Sequence, residues 1–111
     1  MTKDKVYLSH ILDAISDIEE FMQDISEDKF FVNKEKQYAV LRALEIIGEA
    51  TKNLSVELKT KNSDVDWKNI AGMRDKLIHA YFGVNLSLVW ETIKKDLPKL
   101  KKQAILQLNS L

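Results

Sequence analysis

Cysteine is absent from this sequence of 111 residues, and proline and glycine are scarce, with one and three copies. The lack of cysteine excludes disulfides, thiolate catalysis and cysteine-ligated metals. No apolar run reaches transmembrane length, and Asp4, Asp13 and Asp17 stand where a signal peptide would need apolar residues. We therefore expect a cytoplasmic protein that has no membrane partner.

An excess of one charge is also missing, because 17 lysines and arginines balance 17 acidic residues. The balance is uneven along the chain: residues 1–32 are mostly acidic, and residues 91–111 are mostly basic. A neutral total argues against a protein that binds nucleic acid by charge alone. It leaves room for a local basic site.

The apolar residues that are present recur at steps of three and four, which is the helical spacing. One such stripe predicts a long first helix and consists of Leu8, Ile11, Leu12, Ile15, Ile18, Met22 and Ile25. The segment EDKFFVN interrupts the pattern, and Asn33 suits the N-cap of a second long helix. That helix is predicted from Val40, Leu44, Ile47, Leu54 and Leu58.

The stretch from Thr60 to Asp66 is the most loop-like, and Asp66 suits the N-cap of a short helix from Trp67 to Ala71. We predict a third substantial helix from about Met73 to Tyr81. It would end at Gly83, because glycine suits the left-handed position after a helix.

A fourth helix is expected to begin after Asn85 or Ser87, and Pro98 suits the first turn of a final helix after a kink or break. Helices joined by short connections are best buried against one another. The prediction is a single domain, 1–111, that forms an all-α, antiparallel up-and-down bundle of the four-helix type with a short extra helix.

One stretch collects residue types that a purely packing helix does not need. RDKLIHAYFG, from Arg74 to Gly83, has an arginine, a polar residue, three more residues, a histidine, any residue and a tyrosine. This pattern resembles the signature of the HEPN superfamily. Its context, RALEIIGEATKNL at 42–54 and WKNIAGMRDKLIHAYFGVNLSLVWETIKKDLPKL at 67–100, resembles the HepT-like family, the toxin half of HepT/MntA toxin–antitoxin modules. The resemblance extends over nearly the whole chain.

The resemblance implies a HEPN-like helical bundle that dimerises and brings two signature motifs into one cleft. It implies metal-independent RNA cleavage with no cofactor, and Arg74 and His79 as the catalytic residues with Asp75 in support. It also implies a partner, a minimal nucleotidyltransferase antitoxin of the MntA type. That antitoxin would transfer AMP from ATP to Tyr81.

The residue types suit this chemistry. Metal-free RNA cleavage needs a base for the ribose 2′-OH, an acid for the leaving oxygen and a cation for the phosphorane charge. An ordinary histidine has a pKa of roughly 6.5, and the planar donors of arginine match a phosphate. On a helix, Asp75 and His79 would share a face, whereas Arg74 would lie roughly 140° from His79. A two-fold axis would let arginine and histidine of opposite chains converge, so we expect a homodimer.

A purely structural explanation of the same residues remains open. His79 would be favoured by the helix dipole in a last turn, Arg74 and Asp75 could be solvated charges, and Tyr81 could pack its ring. Two other functional classes also remain. One is a non-catalytic HEPN module that binds a nucleotidyltransferase or a nucleotide, and the other is a structural dimer.

The remaining candidates are weaker. Glu45 and Glu49 share a helix face, but Arg42 lies one turn from Glu45, so surface ion pairing is expected. Gly48 lowers helix stability and suggests a close helix approach, for which a dimer interface is one location. His10 is expected at the surface.

Trp67 and Trp90 are expected to anchor the core or an interface. No metal site is expected, because no HExxH motif or cluster of acids at ligand spacing is present. The C-terminal lysines are expected to form a solvated face, which could also guide RNA or the antitoxin; they are Lys94, Lys95, Lys99, Lys101 and Lys102.

Overall fold

The computed structural model describes residues 2–73, 75, 78–79 and 83–111, and of residues 2, 78–79 and 83–84 only the backbone. The helices are α1 (Thr2–Phe21), α2 (Glu27–Phe31), α3 (Lys34–Lys52), α4 (Val56–Lys61), α5 (Trp67–Ala71), α6 (Leu86–Glu91) and α7 (Leu97–Ser110). A π-helical segment, Thr92–Asp96, joins α6 to α7, and two short strands are β1 (Ile78–His79) and β2 (Gly83–Val84). The predicted all-α helical fold is confirmed. None of the helices in this described part is both long and apolar enough to cross a membrane.

The core lies where α1 packs against α3 and α7. The predicted stripe of α1 supplies its inner face, since Leu8, Ile11, Ile15 and Ile18 are almost completely buried. The prediction is wrong at its end, because α1 stops at Phe21 and the last predicted members, Met22 and Ile25, follow it. From α3, Val40, Leu44 and Ile47 are buried to the same degree. The three-and-four spacing that is visible in the sequence is therefore the geometric reason that these helices share one apolar interface.

A buried carboxylate joins the start of α1 to the end of α3. Asp4 is 8% exposed and accepts two hydrogen bonds from Ser55, one from the backbone N–H at 2.8 Å and one from the hydroxyl at 2.6 Å. The same hydroxyl oxygen caps α4 by accepting from the N–H of Leu58. Because residues 4 and 55 meet, α1 and α3 run antiparallel.

The same cap explains why the second long helix is shorter than predicted. The prediction of one helix that reaches Leu58 is wrong, because α3 ends at Lys52 and α4 begins only after Ser55. Leu54 and Leu58 are still buried. Helical spacing survives the break, so periodicity alone did not reveal it, whereas the capping serine did mark a new start.

The interruption predicted at EDKFFVN is a helix. Glu27–Phe31 forms α2, whose N-cap Ser26 accepts a hydrogen bond from the N–H of Lys29. It buries Phe30 completely, and the Phe30 ring lies 6.0 Å from that of Trp90. Asn33 then caps α3 as predicted, accepting from Lys36 N–H at 3.0 Å.

The C-terminal helices follow the prediction with one difference. Asn85 caps α6 by accepting from Leu88 N–H at 3.1 Å, and Pro98 lies in the first turn of α7. The kink or break expected before Pro98 is the π-helical segment instead. Proline has no N–H to donate, and its ring crowds the carbonyl one turn earlier, so a widened turn accommodates it without ending the helix.

The helix predicted from Met73 to Tyr81 is wrong at its C-terminal part. Met73 and Asp75 are helical, but Ile78 pairs with Val84, and His79 pairs with Gly83, in an antiparallel ladder. Ile78 and Val84 are β-branched, a type favoured in strands. Gly83 therefore takes part in this ladder, and Tyr81, where the predicted helix was to end, lies outside the described residues.

Candidate active site

A cleft of about 540 Å³ lies between α1, α3 and the end of α5. Its long-helix wall, as we name the part on α1 and α3, consists of Tyr7, His10, Arg42, Glu45, Ile46, Gly48, Glu49, Ala50, Lys52 and Asn53. Its signature wall consists of Ala71 and Asp75. The cleft therefore reaches the RDKLIHAY motif from the side of the long helices.

Gly48 sets the distance between the two walls. A Cβ atom at this buried position would lie 3.3 Å from the carbonyl oxygen of Ala71 and 3.4 Å from that of Ile70. Only glycine lets the main chain of α3 approach the last carbonyls of α5 so closely without a shift. The close helix approach expected at Gly48 is present, and the helix that approaches it is α5 of the same chain.

On the long-helix wall, α1 contributes two neighbouring rings. Tyr7 and His10 are three residues apart and share a helix face. Their ring centroids are 5.8 Å apart with an interplanar angle of 90°, which is the edge-to-face arrangement that aromatic rings prefer. Tyr7 also packs against the hydrophobic core, so the exposed imidazole of His10 is supported by an anchored ring.

The contribution of α3 to the same wall is a stripe of charged residues. Arg42, Glu45, Glu49 and Lys52 follow one another at steps of three or four and line the cleft together. Lys52 pairs with Glu49 at 3.7 Å, and Glu45 is engaged by another group of the protein. The described part of the chain shows no hydrogen bond or ion pair to Arg42, so the expected Arg42–Glu45 pair is not among its contacts.

The structure describes two of the four signature residues, Asp75 and the backbone of His79. Asp75 is exposed at the cleft and is engaged by another group of the protein. The backbone of His79 lies in β1, whereas Arg74 and Tyr81 lie outside the described residues. The helical angles that the sequence suggested between His79 and Asp75 or Arg74 therefore do not apply, since an extended residue does not follow the 100° rotation of a helix.

Sequence reasoning missed part of this cleft. His10 is exposed, as expected, and yet both it and Arg42 line the cavity that Asp75 lines. One signal in the sequence could have found them: the chain has only two histidines and two arginines. The pair outside the signature is His10 and Arg42.

The other candidates behave as packing or surface residues. Trp67 is buried and donates its indole N–H to the carbonyl of Asn62 at 3.0 Å, as expected of a core anchor. The C-terminal lysines make surface contacts: Lys101 with Glu19 at 2.8 Å, Lys95 with Glu91 at 3.4 Å, and Lys94 over the Trp90 ring at 4.7 Å. Among the described residues, no group of three or more His, Asp or Glu could hold a metal ion.

Comparison with known proteins places this chain in a family. The family model for ribonuclease HepT-like proteins matches residues 11–105. A Methanocaldococcus jannaschii protein named "gamma-glutamylcyclotransferase and putative RNase" is 54% identical over 106 residues, which are 95% of this chain and 48% of that protein. The chain thus spans about half the length of that relative.

Two other relatives are matched over most of their length. The "probable ribonuclease HepT" of Thermococcus cleftensis is 50% identical over 97 residues, which are 87% of this chain and 88% of that protein. A "putative RNase" of Caldanaerobacter subterraneus subsp. tengcongensis is 50% identical over 103 residues, covering 93% of this chain and 92% of that protein. No solved structure matches the chain significantly. The predicted family, and with it the predicted enzyme class of ribonuclease, is confirmed: the chain belongs to the HepT-like ribonuclease family.

Proposed function

We propose that this chain is a cytoplasmic endoribonuclease that cleaves RNA without a metal ion, with Arg74 and His79 as its catalytic residues. The observation that carries the proposal is the cleft beside Asp75, in a chain of the HepT-like ribonuclease family with an intact signature. Asp75 is the signature side chain that lines this cleft. The proposal therefore combines a family activity with a cavity at the motif.

The chemistry is an internal attack by the RNA on its own phosphodiester. The imidazole of His79 takes the proton of the 2′-OH, and the 2′-oxygen bonds to the adjacent phosphorus while the bond to the 5′-oxygen breaks. The imidazolium that forms at His79 returns a proton to the leaving 5′-oxygen, and the guanidinium of Arg74 stabilises the charge on the phosphorane oxygens. The products are a 2′,3′-cyclic phosphate and a 5′-hydroxyl.

Asp75 fits the role of a positioning residue in this scheme. It is helical and exposed at the cleft, four residues before His79, whose backbone lies in β1. A carboxylate near a catalytic imidazole can orient it and stabilise its protonated form. Asp75→Asn should then lower the rate less than His79→Ala does.

A homodimer and an antitoxin complete the proposal, and both rest on the family resemblance. Two chains related by a two-fold axis would place two signature motifs in one composite cleft. A minimal nucleotidyltransferase would transfer AMP from ATP to Tyr81, adding a phosphodiester where RNA phosphate must bind. The added charge and bulk would block cleavage.

The experiment compares cleavage of single-stranded RNA by the wild type, His79→Ala and Arg74→Ala, with and without EDTA. We expect each substitution to lower the rate by a factor on the order of 10²–10⁴ while the circular dichroism spectrum stays unchanged, and EDTA to have no effect. Full activity in His79→Ala, or loss of activity in EDTA, would refute this mechanism. A wild type that binds but never cuts RNA would identify a non-catalytic HEPN module instead.

Assembly and control have their own measurements. Light scattering at micromolar concentration should give the mass of a dimer, and a monomer would contradict the composite cleft. Incubation with the cognate nucleotidyltransferase, ATP and magnesium should add AMP to Tyr81 in mass spectra and stop cleavage. Tyr81→Phe should escape that inhibition; inhibition that persists in it would indicate blocking by complex formation.

A further inference from the structure

The long-helix wall of the cleft holds an arginine and a histidine that the signature does not include. Arg42 of α3 and His10 of α1 line the same cavity as Asp75, and both are exposed there. They are the one arginine and the one histidine that the sequence has outside the signature, and all other positive side chains outside it are lysines. Lysine would serve equally well for solubility, whereas arginine recognises phosphate with paired planar donors.

The other charged groups of the cleft are already engaged. Lys52 pairs with Glu49 at 3.7 Å, and Glu45 and Asp75 are each engaged elsewhere in the protein. In the part of the chain that the structure describes, neither the Arg42 nor the His10 side chain has a hydrogen bond or ion pair, and the His10 ring lies edge-on to that of Tyr7. The donors of Arg42 and His10 are therefore available to a ligand.

The charges of the cleft also limit what that ligand can be. Glu45, Glu49 and Asp75 would repel a continuous run of phosphates, so the cleft is not a general basic track. A single phosphodiester next to the Arg42 guanidinium brings less negative charge into the cleft and gains a direct cationic partner. The volume of about 540 Å³ lies within the roughly 300–1,000 Å³ that is usual for small-ligand pockets, which is room for one nucleotide.

We propose that Arg42 and His10 form a phosphate-binding subsite for single-stranded RNA. It would hold the phosphate of the nucleotide next to the phosphodiester that is cleaved. This deepens the proposed function and rests on it. Tyr7 anchors the imidazole of His10 by its edge contact, and Gly48 keeps the subsite close to the signature wall. Arg42 acts in binding, whereas the bond-breaking step belongs to Arg74 and His79.

The first test measures binding without cleavage. A fluorescent 2′-O-methyl RNA oligonucleotide cannot be cut, and its anisotropy gives Kd for the wild type, Arg42→Ala, Arg42→Lys and His10→Ala. We expect Arg42→Ala to raise Kd about tenfold and to reduce the slope of log Kd against log salt by about 0.7, the value for one phosphate contact on a single strand. Arg42→Lys should restore the slope, because it keeps the charge.

Lys95→Ala is the matched control, since it removes one exposed positive charge from a residue that pairs with Glu91 and is not among those that line the cleft. It should leave Kd and the salt slope near the wild-type values. Equal losses in Arg42→Ala and Lys95→Ala would overturn the subsite, because they would indicate a net-charge effect. An unchanged Kd in Arg42→Ala would overturn it directly.

The second test separates binding from chemistry with cleavable RNA. Arg42→Ala should raise KM about tenfold with kcat within about twofold of the wild type, whereas Arg74→Ala should lower kcat. A lower kcat with unchanged KM would overturn the binding role. The binding role would also be overturned if Arg42→Ala bound RNA normally but no longer received AMP from the nucleotidyltransferase. Arg42 would then be a docking residue for that protein. If the wild type cuts no RNA, the proposed function fails, and the anisotropy experiment still decides the subsite.

Discussion

The two walls of the cleft are held by different kinds of interaction. The long-helix wall belongs to α1 and α3, two helices of 20 and 19 residues whose apolar faces are buried against each other. The signature wall follows a five-residue helix, α5, and leads into a two-stranded ladder of two residues each. Apolar packing between two long helices fixes the first wall, whereas the second depends on the buried side chains of the short α5 and on the main-chain pairing of the ladder. Substitutions behind the long-helix wall should therefore lower mainly the free energy of unfolding, and substitutions in the signature should lower mainly the cleavage rate.

The largest effect on stability should come from the core behind the long-helix wall. Leu44 is 1% exposed, and Leu44→Ala should lower the free energy of unfolding by about 2–5 kcal/mol, because it removes buried contacts and leaves a cavity. Urea denaturation measures this loss. His79→Ala is the counterpart in the signature motif, and its loss should be in activity alone. If His79→Ala lost as much stability as Leu44→Ala, the proposed difference between the two walls would be wrong.

The next effect concerns the carboxylate that joins α1 to α4. Asp4→Ala leaves the N–H and hydroxyl of Ser55 without their acceptor, and we expect a loss of about 1.5–3 kcal/mol, the range for hydrogen bonds to charged groups. A double-mutant cycle with Ser55→Ala isolates the pair, since the two losses should not add. Additive losses would mean that the two side chains stabilise the fold independently.

A smaller effect on stability is expected at the contact between the walls. Gly48→Ala should change the free energy of unfolding by less than about 1 kcal/mol, because better helix propensity offsets the tight 3.3 Å approach to Ala71. It should still lower the cleavage rate, because α5 must shift by a few tenths of an ångström. Gly72→Ala is the matched control, since its nearest heavy atom, at 3.4 Å, is in its own segment at Lys68. Unchanged cleavage in Gly48→Ala would show that the cleft tolerates this shift.

The smallest effect should come from the surface of α7. Lys101 and Glu19 pair at 2.8 Å, but their side chains are 42% and 53% exposed. Lys101→Ala should therefore cost at most about 0.2–1 kcal/mol in thermal denaturation, and less in high salt. A loss that does not change with salt would indicate packing of the lysine stem rather than the ion pair.

The sequence predicted the long-helix wall better than the signature wall. The α1 stripe from Leu8 to Ile18 and the caps at Asn33, Asp66 and Asn85 are local signals, and the structure confirms each of them. The ladder between Ile78 and Val84 depends instead on pairing across a chain reversal, which a helical reading of neighbouring residues cannot detect.

The candidate site was predicted in the same uneven way. Asp75 could be named from the motif, and it lines the cleft. Arg42 was assigned to a surface ion pair with Glu45, because spacing on one helix identifies neighbours but not the partner that each side chain takes. His10 comes from another helix, 32 residues earlier in the chain, and only the packing of α1 on α3 brings it beside Arg42.

The glycine between the walls has a consequence for the entropy of ligand binding. Where α3 meets α5 at Gly48, backbone touches backbone, and no side chain at this position has rotamers to be ordered when a ligand enters. A cleft whose helices already meet through their main chains loses less conformational freedom on binding than a cleft with long side chains at that contact. Gly48 thus makes this part of the cleft preorganised before any RNA arrives.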